Sequence, residues 1–249
     1  MEDIKIHFLG TNGWYDTENN TNCVLIDTKD AYVILDAGNG IYKLNTYITD
    51  HKKPLYLFIG HLHIDHISGL HILNKFHFKN TLHIYSYKDF KKHLDVLMNN
   101  PFSLRLDSLS YPVEIHEITL GRHENPFNFT AGHLLHISKC YGYRFELENK
   151  IIVYCVDTGI CKEEEPLVQD ADVLIHECSY MTPQHTSWGH SAPIETAELA
   201  KRACVKKLIL THFAANIFMS QKDREEAQAM AQNVHKDTVS AKDGMTIVV

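Results

Sequence analysis

Short apolar runs rich in β-branched and aromatic residues recur along the chain, and polar stretches with helical character separate them. Runs of this length and composition are typical of buried strands, and their alternation with helical stretches favours an α/β fold. The predicted strands are Ile4–Leu9, Cys23–Asp27, Tyr32–Leu35, Leu55–Ile59, Leu82–Tyr85, Tyr141–Leu147, Ile151–Val156, Val173–Ile175, Leu208–Leu210 and Met245–Val249.

Two helices can be placed near the C-terminal end of the chain by their capping residues. Ser191 is a candidate N-cap, with Pro193 in the first turn and basic residues near the predicted helix end, where they complement the helix dipole. Ser220 is a second candidate N-cap, with Asp223 three residues later. The apolar face predicted for this second helix consists of Ala227, Met230, Ala231 and Val234.

The length of 249 residues suits a domain of ordinary size, and the Asn99-Asn100-Pro101 break predicts a turn rather than a linker. We therefore expect residues 1–249 to form a single domain. No stretch approaches the roughly 18 consecutive apolar residues that a membrane span needs. Residues 1–6 lack the basic region of a secretory signal. These features predict a cytoplasmic protein without a membrane segment.

The six cysteines form no CxxC pair, which argues against a thiolate zinc site. Without an export signal, we expect all six to be reduced. Cys155 and Cys178 lie in or beside apolar runs and are expected to be buried.

The formal net charge is −7, whereas a protein that grips nucleic acid along its whole surface is usually basic. RNA could therefore be bound only through a local basic patch. A solvated helix face is the favoured interpretation of both candidate groups. They are Lys88, Lys91 and Lys92, and Lys201, Arg202, Lys206 and Lys207.

The strongest chemical signal is the segment Gly60-His61-Leu62-His63-Ile64-Asp65-His66, directly after a predicted strand. In extended backbone the two histidines at positions 61 and 63 point the same way. We expect the chain to turn into a helix near Ile67. Four metal-capable side chains thus converge from a short segment, and imidazole and carboxylate are ligands suited to zinc or its neighbours.

Two more polar residues stand at equivalent places in the predicted sheet. Asp157 and His212 each follow a short predicted strand at its C-terminal end, as His61 does. Sites of open α/β sheets collect at that edge. One shared site is therefore favoured over three unrelated polar residues.

The HxHxDH pattern resembles the signature of the metallo-β-lactamase superfamily, and the resemblance extends along nearly the whole chain. The segments His176-Glu177-Cys178-Ser179 and Gly189-His190-Ser191 are most similar to the ribonuclease Z branch. The other similar motifs are Phe8-Leu9-Gly10-Thr11, Ile34-Leu35-Asp36-Ala37-Gly38, His136 with Gly142-Tyr143-Arg144, Tyr154-Cys155-Val156-Asp157-Thr158, and Leu210-Thr211-His212-Phe213. The implied fold is an α/β, αββα sandwich of two mixed sheets flanked by helices.

The resemblance also implies two metal ions per chain, zinc first, with manganese or iron as alternatives. The expected ligands of one ion are His61, His63 and His136. Those of the other are Asp65, His66 and His212, with Asp157 as a bridge between the ions. His133 is an alternative to His136, which is favoured because the Gly-Tyr pair lies at the family's distance from it.

Catalytic roles are implied for Asp65, His190 and Glu177. Asp65 would orient the nucleophile and accept its proton, and His190, oriented by Glu177, would protonate the leaving group. Structural roles remain open for the last two: His190 before a helix N-terminus, and Glu177 as a brace for a ligand histidine. His176 is expected to be structural or to support a ligand.

The favoured function is hydrolysis of a small or cyclic phosphodiester, with RNA ends as a further substrate. The alternatives are tRNA 3′ processing, thioester or lactone hydrolysis, and metal binding without catalysis. Ribonuclease Z proteins generally carry an arm that clamps tRNA, but no Gly- and Lys-rich insertion stands between Ile67 and His133. The strand at Leu82–Tyr85, the helix-like stretch near Tyr87–Met98 and the runs around Val113–Leu120 use most of that interval. The resemblance also suggests a homodimer.

Overall fold

Fourteen strands are present in the computed structural model, which describes residues 3–184 and 186–249. Residues 1 and 2, which begin the segment considered above for a secretory signal, lie outside the described residues. The strands are β1 Lys5–Gly10, β2 Cys23–Asp27, β3 Tyr32–Leu35, β4 Leu55–Phe58, β5 Leu82–Tyr87, β6 Val113–Ile118, β7 Gly121–His123, β8 Phe129–Leu134, β9 Cys140–Leu147, β10 Lys150–Cys155, β11 Val173–Glu177, β12 Lys207–Thr211, β13 Thr238–Ser240 and β14 Thr246–Val248.

The strands form two mixed sheets of seven strands each. The first has the order β14-β1-β2-β3-β4-β5-β6 and the second the order β13-β12-β11-β10-β9-β8-β7. Strands β3 to β6 run parallel to one another, and so do β10 to β13, whereas the other neighbours are antiparallel. Each sheet therefore has a parallel half, whose strands end at a common edge.

Helical segments connect the strands. The α-helices are α1 Leu44–Tyr47, α2 Ile64–Ile67, α3 Phe90–Leu97, α4 Glu165–Val168, α5 Pro193–Arg202 and α6 Gln221–Gln232, and 3₁₀ segments cover Asn39–Lys43, Ser68–Lys75 and Leu106–Ser108. None of the helices in the described residues is both long and apolar enough to cross a membrane.

The two sheets pack face to face through aromatic side chains. Phe58 of β4 lies 5.1 Å from Phe129 and 4.9 Å from Phe145, both in the second sheet, measured between ring centroids. A separate apolar cluster, which includes Leu199, Ala227 and Leu208, packs α5 and α6 against the outer face of the second sheet. Burial of apolar surface on both faces of this sheet holds its parallel strands rigidly.

The predicted αββα fold class is confirmed, and each of the ten predicted runs overlaps a strand. Strands β6, β7, β8 and β13 were not predicted as such. Two of these have only three residues, β6 is a half-exposed edge strand, and β8 contains Gly132. Such segments carry little apolar periodicity because few of their side chains face the core.

Two helix starts differ from the predictions. The helix expected near Ile67 begins at Ile64. Ala192, not Ser191, precedes α5, and its backbone N–H donates to Glu195 at 2.9 Å. The Ser191 hydroxyl donates instead to the Thr158 carbonyl at 2.6 Å.

Three other local predictions are confirmed. Ser220 caps α6 and its hydroxyl contacts Asp223 at 2.9 Å. Residues 99–101 form a turn, and Cys155 and Cys178 are buried.

Candidate active site

Three of the predicted ligand residues stand just beyond the C-terminal ends of parallel strands. His61 follows β4, Asp157 follows β10 and His212 follows β12. Asp157 and His212 have left-handed backbone, with φ of 60° and 54°. Non-glycine residues in this region are uncommon and cluster at functional sites, because the strain must be offset by surrounding contacts. The two side chains meet at this edge, where Oδ2 of Asp157 lies 3.4 Å from Nε2 of His212.

One group of possible ligand atoms comprises His61, His63, His136 and Asp157, all within 4.8 Å of one another. Nε2 of His136 lies 3.3 Å from Nδ1 of His63. Nε2 of His61 lies 3.2 Å from Oδ2 of Asp157. Three imidazoles and one carboxylate thus enclose a common point.

A second group comprises Asp65, His66, Asp157 and His212, also within 4.8 Å. Nε2 atoms of His66 and His212 are 3.0 Å apart, and Oδ2 of Asp65 lies 3.2 Å from Nε2 of His212. Oδ2 of Asp157 is 2.6 Å from Nε2 of His66. Asp157 belongs to both groups, so the two sets of ligand atoms adjoin through its carboxylate.

Of the two histidines considered for one position, His136 reaches this cluster. His133 is exposed on β8, opposite Tyr141 of β9. His136 lies beyond the end of β8, where the chain bends toward the strand ends.

The donor set fits divalent metal ions. Neither ring nitrogen of His61 has a hydrogen-bond partner in the described chain, although the side chain is buried. A buried polar group without a partner costs free energy, and a bound ion would satisfy it. Burial lowers the pKa values of His61, His63 and His136, so these rings are neutral near pH 7, as metal ligation requires.

Polar residues outside the cluster fix the orientation of its rings. Nδ1 of His66 lies 2.6 Å from Oδ2 of Asp36. Oγ of Ser179 lies 3.1 Å from Nδ1 of His212, and Oγ of Ser138 lies 3.0 Å from Nε2 of His63. These contacts set which nitrogen of each ring faces the cluster. The sequence alone assigns none of the three residues to the site, although Asp36 and Ser179 stand in motifs named above.

His190 and Glu177 lie beside the cluster. Nδ1 of His190 is 2.7 Å from Oε1 of Glu177 and 3.4 Å from Oδ1 of Asp157. Burial lowers the pKa of His190, but the hydrogen bond to Glu177 and the nearby carboxylates outweigh it and raise the pKa to about 9. His190 is therefore a charged donor whose position is set by a buried carboxylate.

Glu177 is itself held from two sides. Its Oε1 accepts a hydrogen bond from the Thr158 amide at 2.9 Å, and its Oε2 accepts one from the Ser179 amide at 2.9 Å. Glu177 braces His190 through its side chain, but within the described residues its carboxylate makes no hydrogen bond to the ligand histidines 61, 63, 136 or 212. Both carboxylate oxygens are thus used for positioning.

The loop that carries His190 depends on Gly189. This glycine has a φ of 71°, and a Cβ atom at its position would lie 2.1 Å from the Leu135 carbonyl oxygen. The close approach brings His190 beside the segment that carries His136, and the two rings lie 5.4 Å apart. Any larger residue would push the two segments apart.

His176 lies in β11 and takes no part in the cluster. Its Nε2 donates to Glu164 at 2.7 Å and its Nδ1 to the Glu177 carbonyl at 2.9 Å. The ring is fully buried. The hydrogen-bonded pair of His176 and Glu164 thus supports the backbone of Glu177.

A cavity of about 380 Å³ opens over the cluster. Its walls include Asp65, His136, His190 and His212, and its rim carries Trp14 and Trp188. The two tryptophans are 61% and 51% exposed, so large aromatic surfaces face solvent at the mouth. None of the described residues that line this cavity is lysine or arginine.

Comparisons with known proteins agree with this architecture. A family profile described as "Beta-lactamase superfamily domain" matches residues 31–213. A ribonuclease Z from Porphyromonas gingivalis is 25% identical over 316 residues, which cover 99% of each chain. The metallo-β-lactamase fold protein YhfI from Bacillus subtilis has a TM-score of 0.81 and 23% identity, with both chains fully covered. The short form of human tRNase Z has a TM-score of 0.76 and 21% identity, with 98% of both chains covered. The chain therefore belongs to the β-lactamase superfamily of metal-dependent hydrolases, and its relatives include ribonuclease Z proteins.

Proposed function

We propose that the protein is a dinuclear zinc phosphodiesterase of the ribonuclease Z-like type, acting on a small or cyclic phosphodiester. The observation that carries the proposal is the position of His190, held by Glu177 at 2.7 Å beside two adjoining groups of metal-ligand atoms. A proton donor next to such a centre suits an ester whose leaving alkoxide must be protonated.

We assign one ion to His61, His63 and His136 and the other to Asp65, His66 and His212, with Asp157 shared between them. When bound, two zinc ions would lower the pKa of water toward neutrality and offset the negative charge of the phosphate. Manganese or iron could occupy the same nitrogen and oxygen ligands.

Asp65 and His190 divide the proton transfers in this proposal. The Asp65 side chain is 20% exposed and lines the cavity, so its carboxylate can orient a water molecule and accept a proton from it. His190 keeps its Nδ1 proton on Glu177, which leaves Nε2 to donate a proton to the departing oxygen. Glu177 acts through His190 and does not need to reach the substrate.

The cavity favours a small substrate with a planar group. Trp14 and Trp188 on the rim offer faces on which an aromatic ring or nucleobase can stack. Neutral rim residues would give an extended polyanion little electrostatic attraction.

The basic residues considered as RNA-binding patches are interspersed with acidic partners. Lys91 pairs with Asp95 at 2.6 Å in the first group. In the second group, Lys206 pairs with Asp172 at 2.7 Å. Such pairing lowers the positive potential that phosphate contacts need. The interpretation of both groups as solvated faces is therefore kept.

A tRNA 3′-processing activity is the second candidate, because the matched relatives are named ribonuclease Z or ribonuclease BN. The alignment to the Porphyromonas gingivalis protein extends over 316 residues, 67 more than the 249 of this chain. That relative thus has segments without a counterpart here. Between α2 and His136 the described chain is used for β5, α3, β6, β7 and β8. This supports the small-substrate proposal over tRNA processing.

The test compares catalytic efficiency on three substrates at fixed low salt: a 2′,3′-cyclic phosphodiester, a tRNA precursor with a 3′ trailer, and a thioester. The proposal requires the small phosphodiester to be the best substrate. Efficient cleavage of the precursor after the discriminator base would replace it with tRNA processing. Preference for the thioester would support the second alternative, a thioester or lactone hydrolase.

Three further expectations stay predictions. They are a single domain spanning residues 1–249, a homodimer, and a cytoplasmic location. Size-exclusion chromatography with light scattering would test the second.

A further inference from the structure

A second cluster of metal-capable side chains lies on the first sheet. His83 of β5 is opposite Glu114 of β6 in the parallel register, and His116 follows two residues later on the same face. His83 and Glu114 are each the second residue of their strand, whereas the active-site residues lie beyond the C-terminal strand ends. None of the three lines the catalytic cavity.

The spacing of these atoms matches a metal site. Nδ1 of His83 is 3.1 Å from Nε2 of His116 and 3.2 Å from Oε2 of Glu114, and the remaining edge of the triangle is 3.7 Å. A tetrahedral zinc ion with bonds of about 2.0–2.1 Å holds its ligand atoms about 3.3 Å apart. The catalytic cluster shows the same spacing, with 3.3 Å between His136 and His63.

Neighbouring aromatic rings fix both imidazoles. His116 stacks on Tyr85 at 4.4 Å with 15° between the ring planes, and His83 stacks on Tyr56 at 5.4 Å. Stacked rings cannot turn freely, so the ligand nitrogens remain aimed at one another. A preorganised ligand set binds an ion without the entropic cost of collecting mobile side chains.

The charges also favour an ion over a plain hydrogen-bonded triad. The ion-pair contacts of Glu114 among the described residues are to His83 and His116, and no lysine or arginine shares its carboxylate. Two imidazole nitrogens that face each other can form one hydrogen bond only, whereas both can bind a cation. Burial and the nearby His83 lower the pKa of His116, which keeps its lone pair available near pH 7.

We propose that His83, Glu114 and His116 form a further binding site for Zn²⁺ or a divalent ion of the same class, separate from the catalytic centre. Two imidazoles and one carboxylate suit the metals from cobalt to zinc. The ion joins β5 to β6, which is the edge strand of the first sheet. An edge strand is hydrogen-bonded to a neighbouring strand on one side only. An ion bound by residues of both β5 and β6 therefore holds β6 in register. The three side chains are 24% to 57% exposed, so water can reach the site.

The test uses the protein with its catalytic centre already loaded. Equilibrium dialysis against Zn²⁺, followed by elemental analysis, should show one ion per chain beyond those of the catalytic centre. The His83→Ala/His116→Ala variant should lose this ion and its contribution to thermal unfolding. The control variant His51→Ala/His77→Ala removes two exposed histidines elsewhere and should keep it.

A conservative variant guards against a folding defect in the double variant. Glu114 is 57% exposed, so Glu114→Gln should fold normally while weakening Zn²⁺ binding at least severalfold. Anomalous scattering at the zinc edge, from crystals of the loaded protein, should place the ion between the three side chains. No additional ion in the unaltered protein, or one that persists in the His83→Ala/His116→Ala variant, would overturn the proposal.

Discussion

Oδ2 of Asp36 lies 2.6 Å from Nδ1 of His66, and this contact orients a histidine on α2 from the end of β3. The same carboxylate accepts hydrogen bonds from the Gly60 amide at 2.9 Å and from the Tyr154 hydroxyl at 2.6 Å. Asp36 thus joins β3, β4 and β10 of the two sheets. Because Nδ1 of His66 donates to Asp36, its Nε2 is left to face Asp65 and His212.

Replacement of Asp36 by asparagine should weaken metal binding. Asparagine tolerates the left-handed backbone at this position, where φ is 56°, but it carries no charge to hold the ring proton. Loss of such a supporting carboxylate typically costs about 10- to 100-fold in metal affinity. Competition with a chromophoric chelator would measure the change. Asp89→Asn is a matched control, because Asp89 is exposed and also has left-handed backbone with φ of 74°.

The two candidate proton-transfer residues should respond differently to removal. Asp65→Ala should abolish hydrolysis, because the variant loses both a proposed ligand and the group that accepts the nucleophile's proton. His190→Ala should keep its metals and lose about 10²- to 10⁴-fold in kcat on an alkyl leaving group. Its loss on a nitrophenyl ester should be smaller, since nitrophenolate needs little protonation. Equal losses on both esters would assign His190 a structural role, and His133→Ala serves as the exposed-histidine control.

Removal of the metals should destabilise the fold as well as stop hydrolysis. The proposed ligands come from four separate parts of the chain, around residues 61–66, 136, 157 and 212, so bound ions stabilise the folded state over the unfolded one. Elemental analysis of the His83→Ala/His116→Ala variant, which lacks the further site proposed above, should give two ions per chain. Thermal unfolding should shift to lower temperature after chelation and recover on addition of Zn²⁺. An unchanged unfolding temperature with full activity in the metal-free protein would contradict the two-metal proposal.

Much of the fold could be predicted because its strands are buried. The central strands β3, β4, β10, β11 and β12 are apolar runs whose limits the sequence marks closely. The edge strands β6 and β7 could not be predicted in this way. One face of each lies toward solvent, so fewer of their positions are apolar. Burial of Arg224 in α6 was also missed. Its guanidinium packs 4.6 Å from the Phe213 ring centroid and bonds to Thr11 at 3.0 Å, partners far away in sequence.

The residues of the candidate site also divide into those that the sequence predicts and those that only the structure identifies. Residues in a compact motif, such as His61 and His63, could be identified from spacing alone. Asp157 and His212 needed the additional argument that strand ends share an edge. Ser138 stands in no motif, and the motif that contains Ser179 does not indicate its role, because both roles depend on which ring nitrogen the hydroxyl reaches across the fold. Supporting contacts of this kind are set by tertiary geometry, which periodicity does not encode.

The buried pair of His176 and Glu164 should make stability depend on pH. Burial lowers the pKa of His176, but the Glu164 carboxylate 2.7 Å away outweighs it and raises the pKa above its ordinary value of 6.5. The stabilisation is therefore fully present below about pH 6.5 and is lost as the pH rises through the folded-state pKa. Denaturant unfolding of the unaltered protein and of Glu164→Gln would measure it. The stability difference between them should be larger at pH 6 than at high pH, and a constant difference would contradict the assignment.

The tryptophans at the cavity mouth should govern substrate affinity rather than the chemical step. Trp188 lies 6.4 Å from the His63 ring, and Trp14 stands on the rim of the same cavity. Stacking of a base on an aromatic side chain contributes about 1–3 kcal/mol, so Trp188→Ala should lower kcat/KM for a nucleoside phosphodiester roughly 5- to 150-fold. The loss should fall mainly on KM, since the side chain is not placed to transfer protons. Trp14→Ala should act in the same direction. Phe102→Ala is the control, because Phe102 is 69% exposed and does not line this cavity. If the tryptophan variants lowered kcat with KM unchanged, the rings would be positioning the reacting groups, and the substrate need not carry a planar group.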